Sequence, residues 1–432
     1  MNNNIIENNY DNLYLGNGAH GIYSTDPSVS KANNNVLVFA GTNRGKTTSI
    51  VEPYLLHVNH SSMAIMLTKR RLLDQYAQLL HRRGYDIQII DLVRPAKSTV
   101  GFDPMLHVKD DISLTGLSKT LVEGIASTKE PYWHTSASNL FKALAKLAQY
   151  LCSGHATMEM VYDMAMEIKH SSFYDPDRVI EEELDIPIEF AKRKLKDPEM
   201  YGNWTQFFLN ADNTGACILS ETKSVLNEVF PKDIRAFMSL TPQLDIPSLV
   251  KKKTCLFVIT SPVNPALHPF ANMLFSIIFR ELFEFAENQP SGKLPRSFTA
   301  ICDDFATGSK IPDFQHYLSI FREKDISAIM LVQSLSQLKA IYGGENASTI
   351  IDNVDNLVYL GGMDTDTARE VSLRADKPLQ EILTMEIGRE YLFRSGQEPL
   401  YLQRYQTYDD PVYINTFTKT KSALDQSKQV IS

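Results

Sequence analysis

Cysteine, tryptophan and long apolar runs are scarce in this sequence of 432 residues, which contains four cysteines and two tryptophans. The cysteines are far apart and form no C-x-x-C pair, so we expect free, buried thiols and neither a disulfide framework nor a zinc site. No window of about 18 residues is apolar throughout, so no membrane span is predicted. The N-terminus is polar and rich in asparagine, unlike a signal peptide. These absences predict a cytoplasmic protein.

An excess of basic residues is also missing, because 43 Lys and Arg stand against 51 Asp and Glu and give a net charge of -8. A nucleic-acid binder that is basic throughout is excluded, but a local basic channel is not, since binding depends on where charges lie. The composition is 43% hydrophobic and 22% charged, which is typical of a globular protein and excludes a disordered chain or a coiled-coil rod. The length suits two or three domains, or one large fold with an insertion.

Short apolar runs bounded by turn residues recur along the chain, and a longer helical pattern follows each one. This arrangement predicts buried parallel strands in an α/β fold. The predicted strands are residues 36–39, 63–67, 87–91, 255–261, 298–303, 328–333 and 357–360, with a hairpin in 389–405. The predicted domains are 1–110 and 243–410, which share a mainly parallel sheet flanked by helices, an inserted all-α domain at 111–242, and a flexible tail at 411–432.

The most specific motif lies at residues 36–48, where an apolar strand enters a glycine-containing loop that ends in Gly-Lys-Thr before a helical pattern. This order is typical of a P-loop, whose backbone N–H groups and following helix N-terminus bind phosphates. The side chain of Lys46 suits the terminal phosphates, and the hydroxyl of Thr47 suits Mg²⁺. A chance Gly-Lys-Thr is the alternative, which the flanking strand and helix disfavour. The predicted nucleotide-binding residues are Ala40, where a first glycine is usual, Gly41, Thr42, Asn43, Arg44, Gly45, Lys46, Thr47 and Thr48.

Further candidates follow or precede other predicted strands. Asp303 is a candidate ligand of Mg²⁺, and the adjacent Asp304 is a candidate general base for water. Gln333 is a candidate sensor of the γ-phosphate, and Arg322 is a candidate arginine finger acting on a neighbouring subunit. For Asp303 and Asp304 the alternative is an ordinary acidic turn. For Gln333 it is a polar residue that caps the next helix, and for Arg322 a solvated arginine at a helix end. With the P-loop, these residues predict an ATPase that uses ATP and Mg²⁺.

Together these motifs resemble the coupling proteins of type IV secretion, the TraG/TraD-like ATPases of bacterial conjugation. The similarity covers about residues 30–405 and is most specific in 303–362, at residues 303–306, 311–314, 332–338, 342–343 and 353–362. The resemblance implies a RecA-like P-loop NTPase with an inserted all-α domain. It also implies hexamers that use ATP to recruit or move single-stranded DNA with its relaxase into a secretion channel.

The sequence departs from that family's pattern in three places. The family usually has an N-terminal membrane anchor, so we expect either a separate anchor subunit or a naturally soluble member, recruited to the inner face of the membrane. Residues 66–71, Met-Leu-Thr-Lys-Arg-Arg, lack both acids of the family's Asp-Pro-Lys-Gly-Glu motif. Asp304 replaces the family's water-activating glutamate and is one methylene shorter, which predicts slow hydrolysis because catalytic geometry is sensitive to shifts of about 1 Å.

Two other functions remain open beside that of a conjugative motor. One is an adaptor that binds nucleotide and recruits cargo with little hydrolysis. The other is a pump for double-stranded DNA, which residues 311–314 and 333–338 disfavour. The basic clusters at 69–71, 82–83 and 251–253 are candidate phosphate contacts, although a solvated surface is favoured for the last.

Overall fold

The computed structural model describes residues 10–125, 131–168, 186–208, 210, 212–307 and 309–418. The strands are β1 (Asn12–Tyr14), β2 (Ile22–Ser24), β3 (Val36–Phe39), β4 (Ser62–Leu67), β5 (Asp86–Asp91), β6 (Thr254–Ile259), β7 (Phe298–Cys302), β8 (Ile326–Val332), β9 (Asn356–Tyr359), β10 (Arg389–Arg394) and β11 (Leu400–Gln403). The helices before β6 are α1 (Pro27–Ser30), α2 (Glu52–His57), α3 (Arg71–Arg82), α4 (Asp111–Ile125), α5 (Pro131–Leu151), α6 (Met158–Glu167), α7 (Ile186–Arg193), α8 (Pro198–Phe208), α9 (Asp212–Val229), α10 (Lys232–Met238) and α11 (Ser248–Lys251). The later helices are α12 (His268–Glu287), α13 (Phe314–Phe321), α14 (Leu335–Tyr342), α15 (Gly344–Asp352), α16 (Thr365–Ala375), α17 (Leu379–Leu383) and α18 (Pro411–Tyr413).

Nine strands form one sheet in the order β11-β10-β9-β3-β8-β7-β4-β6-β5. β3 lies near its middle and pairs in parallel with β8 and β9, which places Phe39 beside Val332 and Tyr359. β8, β7, β4, β6 and β5 continue the parallel arrangement, whereas β10 is antiparallel to both of its neighbours. The C-terminal ends of the parallel strands therefore meet at one edge of the sheet, where α/β folds bind their ligands.

All seven predicted strands are present, and the predicted hairpin is β10–β11. The central strands β3, β4, β6, β7 and β8 are buried along their whole length. Each face of the sheet is covered by its own apolar cluster, one including α2 and α3 and the other including α12, α13 and α14. Burial on both faces explains why these strands read as continuous apolar runs instead of alternating patterns.

The part of the chain between β5 and β6 holds helices α4–α11 among the described residues. Their apolar side chains join the same cluster as α12. Trp204 is buried and stacks on Phe190 with ring centroids 4.4 Å apart, so it is a core residue of this helical part. The domain boundaries at 110 and 242 stay a prediction.

Residues 411–418, the first eight of the predicted tail, form α18 and a π-helical turn at Ile414–Thr418. The ring of Phe417 packs edge-on against Tyr76 of α3. The rest of the predicted tail, residues 419–432, lies outside the described residues. Residues 411–418 are therefore packed on the same face of the sheet as α2 and α3.

The structure bears on the predicted absence of a membrane span and on the predicted burial of the four thiols. Within the described ranges, no helix is both long and apolar enough to cross a membrane. All four cysteines are free, and Cys255 and Cys302 are buried in strands. Cys217 is exposed on α9 and Cys152 is half-buried. The prediction that every thiol is buried was therefore wrong for these two, because neither lies on a central strand.

Candidate nucleotide-binding site

Residues 40–48 form a loop between β3 and α2 at the C-terminal edge of the sheet. The N–H group of Gly41 donates to the carbonyl of Gly361, at 2.9 Å, in the loop after β9. Asn43 and Gly45 both have positive φ, at 57° and 77°. Asparagine tolerates this left-handed conformation better than most residues, so Asn43 can adopt a backbone conformation that is usually left to glycine. The loop folds back on itself and leads directly into the helical turn Thr47–Val51.

The backbone of the loop lies very close to the loop after β9. A Cβ atom on Gly41 would lie 3.3 Å from the Cα of Gly362, which is tighter than most such contacts. Gly361 and Gly362 belong to the segment that resembles the coupling proteins, but they were not among the predicted site residues. Their lack of side chains lets the two loops pack backbone to backbone.

The ammonium group of Lys46 lies inside the curve of the loop. Its Nζ is 3.3 Å from the carbonyl oxygen of Ala40 and 3.6 Å from Oδ1 of Asp304. Both side chains are mostly buried, at 10% and 27% exposure. Since a triphosphate carries more negative charge than one carboxylate, bound phosphates would compete with Asp304 for this ammonium group.

The hydroxyl of Thr47 faces the end of β7. Its Oγ1 lies 3.3 Å from each carboxylate oxygen of Asp303. Burial, and then repulsion by Asp304, raise the pKa of Asp303 to about 6, while Lys46 acts in the opposite direction. A hydroxyl beside a carboxylate is a hard-oxygen donor set of the kind that Mg²⁺ prefers, so the residues present fit this ion.

Asp304 lies in the turn that follows β7 and has a positive φ of 58°. Its Oδ2 accepts a hydrogen bond from the hydroxyl of Thr68, at 3.2 Å. Thr68 was missed by the sequence analysis, although it directly follows β4 and therefore lies at the same edge of the sheet. The carboxylate of Asp304 is thus held between Thr68 and Lys46.

The basic residues after β4 have different surroundings. Lys69 and Arg71 line the cleft, and Arg71 also forms an ion pair with Glu52. Arg70 instead forms ion pairs with Asp74 and Asp91. Only part of this predicted basic cluster therefore faces open space.

The loop, the two carboxylates and the residues after β4 enclose an open cleft of about 540 Å³, a size typical of small-molecule sites. Gln333 lies on its wall, after β8. The cleft is lined by Gly41, Thr42, Asn43, Arg44, Gly45, Lys46, Thr47, Thr48, Thr68, Lys69, Arg71, Leu72, Pro262, Asp303, Asp304 and Gln333. The structure thus brings together the predicted candidates apart from Ala40, which is buried behind the loop, and Arg322.

Arg322 lies at the opposite edge of the sheet, just before β8. Its guanidinium group donates to the carbonyl of Lys31, at 3.0 Å. β8 has seven residues, so this edge is roughly 20 Å from the cleft. Arg322 therefore does not reach the cleft of its own chain, and its action on a neighbouring subunit stays a prediction.

A comparison with protein families adds to this geometry. The model of the family described as type IV secretory system conjugative DNA transfer matches residues 1–375. This chain belongs to that family. No curated protein matches the sequence.

Several solved structures share the fold of this family member. The bacterial conjugative coupling protein TrwBdeltaN70, in complex with sulphate, has a TM-score of 0.66 at 16% identity, with 88% of each chain covered. TrwB in complex with the ATP analogue ADPNP has a TM-score of 0.65 at 16% identity, with 88% of this chain and 87% of TrwB covered. VirB4 of Thermoanaerobacter pseudethanolicus has a TM-score of 0.58 at 11% identity, with 93% and 97% covered. The predicted RecA-like P-loop NTPase fold, with its inserted helices, is confirmed.

Proposed function

We propose that this protein is a P-loop ATPase that couples ATP hydrolysis to conjugative DNA transfer. The observation that carries the proposal is the convergence of Lys46, Thr47, Asp303 and Asp304 on one cleft, in a member of the conjugative DNA transfer family. TrwB, which has the same fold, has been solved with ADPNP and with ADP and Mg²⁺. ATP is therefore the proposed substrate, and Mg²⁺ is the proposed metal.

We propose a separate task for each group in the cleft. Backbone N–H groups of residues 41–48 bind the phosphates, and Lys46 moves from Asp304 to the terminal phosphate. Thr47 and Asp303 would hold Mg²⁺, and the ion would supply positive charge against the phosphate oxygens. Gln333 lies on the wall of the cleft, where its amide can contact the terminal phosphate or the attacking water.

Hydrolysis then needs a group that accepts a proton from water. Once Lys46 contacts phosphate, Asp304 is free to orient a water molecule and take its proton. The water oxygen bonds to the γ-phosphorus, the bond to the β–γ bridging oxygen breaks, and ADP and phosphate are formed. The hydrogen bond from Thr68 fixes the Asp304 carboxylate for this step.

The proposal includes partners and an assembly. The active form is a hexamer in which Arg322 acts in trans on the site of the neighbouring subunit. The cargo is single-stranded DNA with its relaxase, which is delivered to a type IV secretion channel. The protein acts at the inner face of the membrane, beside that channel.

One observation favours a second function, that of an adaptor with little hydrolysis. Asp304 is already engaged by Lys46 and Thr68, and its carboxylate is one methylene shorter than that of the family's glutamate. Such a site can bind nucleotide without placing water for attack. The helical insertion would then recruit cargo while the nucleotide stabilises the assembly.

Steady-state ATP hydrolysis at several protein concentrations, with and without single-stranded DNA, tests the motor proposal. We expect turnover to rise with concentration and with DNA, and to fall at least about 100-fold in Lys46→Ala. Lys232→Ala, which removes an exposed lysine at the start of α10, is the matched control and should match the wild type. Nucleotide binding without turnover above Lys46→Ala under any condition would favour the adaptor instead.

A further inference from the structure

The chain after β11 reaches the outer side of the P-loop, and it lies beyond the residues that the family model matches, 1–375. Arg404 is the main contact, and its side chain is buried, at 5% exposure. One terminal nitrogen donates to the carbonyl of Arg44 and the other to the carbonyl of Leu360. Its Nε donates to the carbonyl of Arg389, at 2.9 Å. One guanidinium group thus connects the P-loop, the loop after β9 and the hairpin.

The hydrogen bond from Arg404 to the Arg44 carbonyl also orients the N–H group of Gly45, which belongs to the same peptide unit. In a trans peptide, the C=O and N–H groups point in opposite directions. Because Arg404 holds the Arg44 carbonyl on the outer side, the N–H group of Gly45 is turned toward the cleft. The Cβ position of Gly45 lies only 3.6 Å from Nη1 of Arg404, so the guanidinium group packs directly against this peptide.

Two neighbouring contacts extend the same arrangement. Leu360, the second acceptor, precedes Gly361, whose carbonyl accepts the hydrogen bond from Gly41 at the start of the P-loop. Thr407 donates its hydroxyl to the carbonyl of Thr48 at the end of the loop. The segment from Arg404 to Thr407 therefore supports the P-loop along its length.

A buried carboxylate, that of Glu390, lies near Arg404 but accepts none of the hydrogen bonds described for that arginine. Glu390 on β10 is fully buried, and among the described residues neither of its carboxylate oxygens has a hydrogen-bond partner. Burial raises its pKa well above the usual range, against the effect of the nearby Arg404 charge. All three hydrogen bonds described for the Arg404 side chain go to backbone carbonyls and none to this carboxylate, so its guanidinium group positions loops instead of forming a bidentate ion pair.

We infer that Arg404 is a positioning residue of the nucleotide site, which turns the Gly45 N–H group toward the phosphates of the bound nucleotide. This inference rests on the proposed function of the cleft. Lysine cannot replace this arginine, since one ammonium group lacks the planar fork that reaches three carbonyls at once. The site of the nucleotide is therefore completed by a segment outside the family match.

Calorimetric binding of Mg²⁺–ADPNP to the full chain tests the inference. We expect Arg404→Lys to bind at least about tenfold more weakly than wild type, because a charge-assisted hydrogen bond to phosphate is misaligned. Arg394→Met is the matched control: Arg394 lies on the same hairpin, over the ring of Tyr23 and bonded to Asn356, at the far edge of the sheet. Its affinity should stay within about twofold of wild type.

A double variant separates positioning from the effect of charge. Glu390→Gln with Arg404→Met removes both of these neighbouring buried ionisable groups and leaves no uncompensated charge. We expect its affinity to remain at least about tenfold weaker, with a ligand-free melting temperature close to that of Arg404→Lys. The ¹⁵N–¹H signal of Gly45 should shift on adding Mg²⁺–ADPNP in wild type and shift less in Arg404→Lys.

The outcomes distinguish the inference from the function on which it rests. If wild type does not bind Mg²⁺–ADPNP, or Lys46→Ala binds it equally well, the proposed function of the cleft fails. If wild type binds through Lys46, and either Arg404→Lys or the double variant binds as tightly, the role of Arg404 alone is overturned. An unchanged Gly45 response in Arg404→Lys would overturn it as well.

Discussion

Two adjacent carboxylates at the end of β7 have different surroundings. Asp303 faces the hydroxyl of Thr47 and has a pKa raised to about 6, chiefly by burial. Asp304 has a left-handed backbone and turns toward Lys46 and Thr68. Although the two residues are consecutive, the carboxylate of Asp303 faces the proposed metal site and that of Asp304 faces the proposed position of the water. This division supports the roles that the sequence suggested for them.

Asp304→Asn should separate binding from chemistry, because asparagine keeps the shape of the side chain but cannot accept a proton from water. We expect ATP turnover to fall at least about 100-fold while the affinity for Mg²⁺–ADPNP changes by less than about threefold. Single-turnover hydrolysis and calorimetry measure the two quantities. Equal turnover in this variant and wild type would exclude Asp304 as the base.

Asp304→Glu tests whether the short side chain limits hydrolysis. The added methylene moves the carboxylate farther into the cleft, toward the position that the family's glutamate would occupy. We expect turnover to rise several-fold with little change in nucleotide affinity. A fall in turnover would show that Thr68 and Lys46 hold the aspartate at the productive distance.

At the scale of elements, asparagine side chains at the N-terminal edge of the sheet connect neighbouring strands. Asn35 accepts a hydrogen bond from the N–H of Ala328 on β8 and donates to the carbonyl of Asn353, before β9. Asn356 donates back to the carbonyl of Asn35, at 3.0 Å. These side chains hold β3 between its neighbours at the N-terminal edge of the sheet.

The helical insertion is connected to the sheet through a buried carboxylate. Asp103 accepts hydrogen bonds from the N–H groups of Met105, at 2.9 Å, and of Met158 at the start of α6, at 3.0 Å. Burial raises the pKa of Asp103 to about 6, and these hydrogen bonds and His107 only partly oppose it. Ionisation of Asp103 is therefore less favourable in the folded state than in the unfolded chain.

Replacing Asp103 with asparagine should remove one pH-dependent contribution to stability. A carboxyl group whose folded-state pKa is raised stabilises the fold below its unfolded pKa, and this contribution is lost as the pH rises through 6. Relative to Asp103→Asn, wild type should gain about 2 kcal/mol in free energy of unfolding between pH 7 and pH 4.5. Urea unfolding of both proteins at the two pH values measures this difference. The same pH dependence in both would show that Asp103 does not titrate with a raised pKa.

At the scale of the whole molecule, a net charge of -8 means that DNA binding requires a local cationic path. Lys69 and Arg71 face the nucleotide cleft, and Arg70 is paired with carboxylates. Lys251 lies over the ring of Phe285, and Lys253 is bonded to Asn59. The clusters that stood out in the sequence are thus largely engaged within the chain.

Salt-dependent binding of oligonucleotides tests the DNA proposal for the assembled protein. We expect the logarithm of the association constant for single-stranded DNA to fall with the logarithm of salt, with a slope of about -0.7 for each phosphate contacted. A duplex of the same sequence is the comparison and should bind more weakly and stimulate ATP hydrolysis less. Stronger binding and stimulation by the duplex would favour the double-stranded DNA pump.

Much of the architecture could be predicted because its physical cause is local in the sequence. A strand buried on both faces must be apolar throughout, so the central strands could be recognised as continuous apolar runs. The P-loop was readable because its glycine, Lys46 and Thr47 are consecutive and follow β3 directly. Asp303 and Gln333 were readable because they follow buried strands, which places them at the edge where ligands bind.

Other parts of the site depend on contacts between distant segments, and these have no local signature. Thr68 meets Asp304 only because β4 and β7 are neighbours in the sheet. The exposure of Cys217 follows from the orientation of α9 and not from its residue type. Arg322 lies far from its own cleft because β8 separates it from the C-terminal edge.

By itself, the sequence determined the α/β fold, the P-loop and the candidates beside it, because strand burial and phosphate binding impose short, local patterns. Only the tertiary structure decided which side chains support that loop from outside. Arg404 is 360 residues from Arg44 in the chain, yet the hairpin after β9 places its guanidinium group on the Arg44 carbonyl. Sheet order and hairpin packing produce that contact, and neither can be predicted from the residues on either side of Arg404.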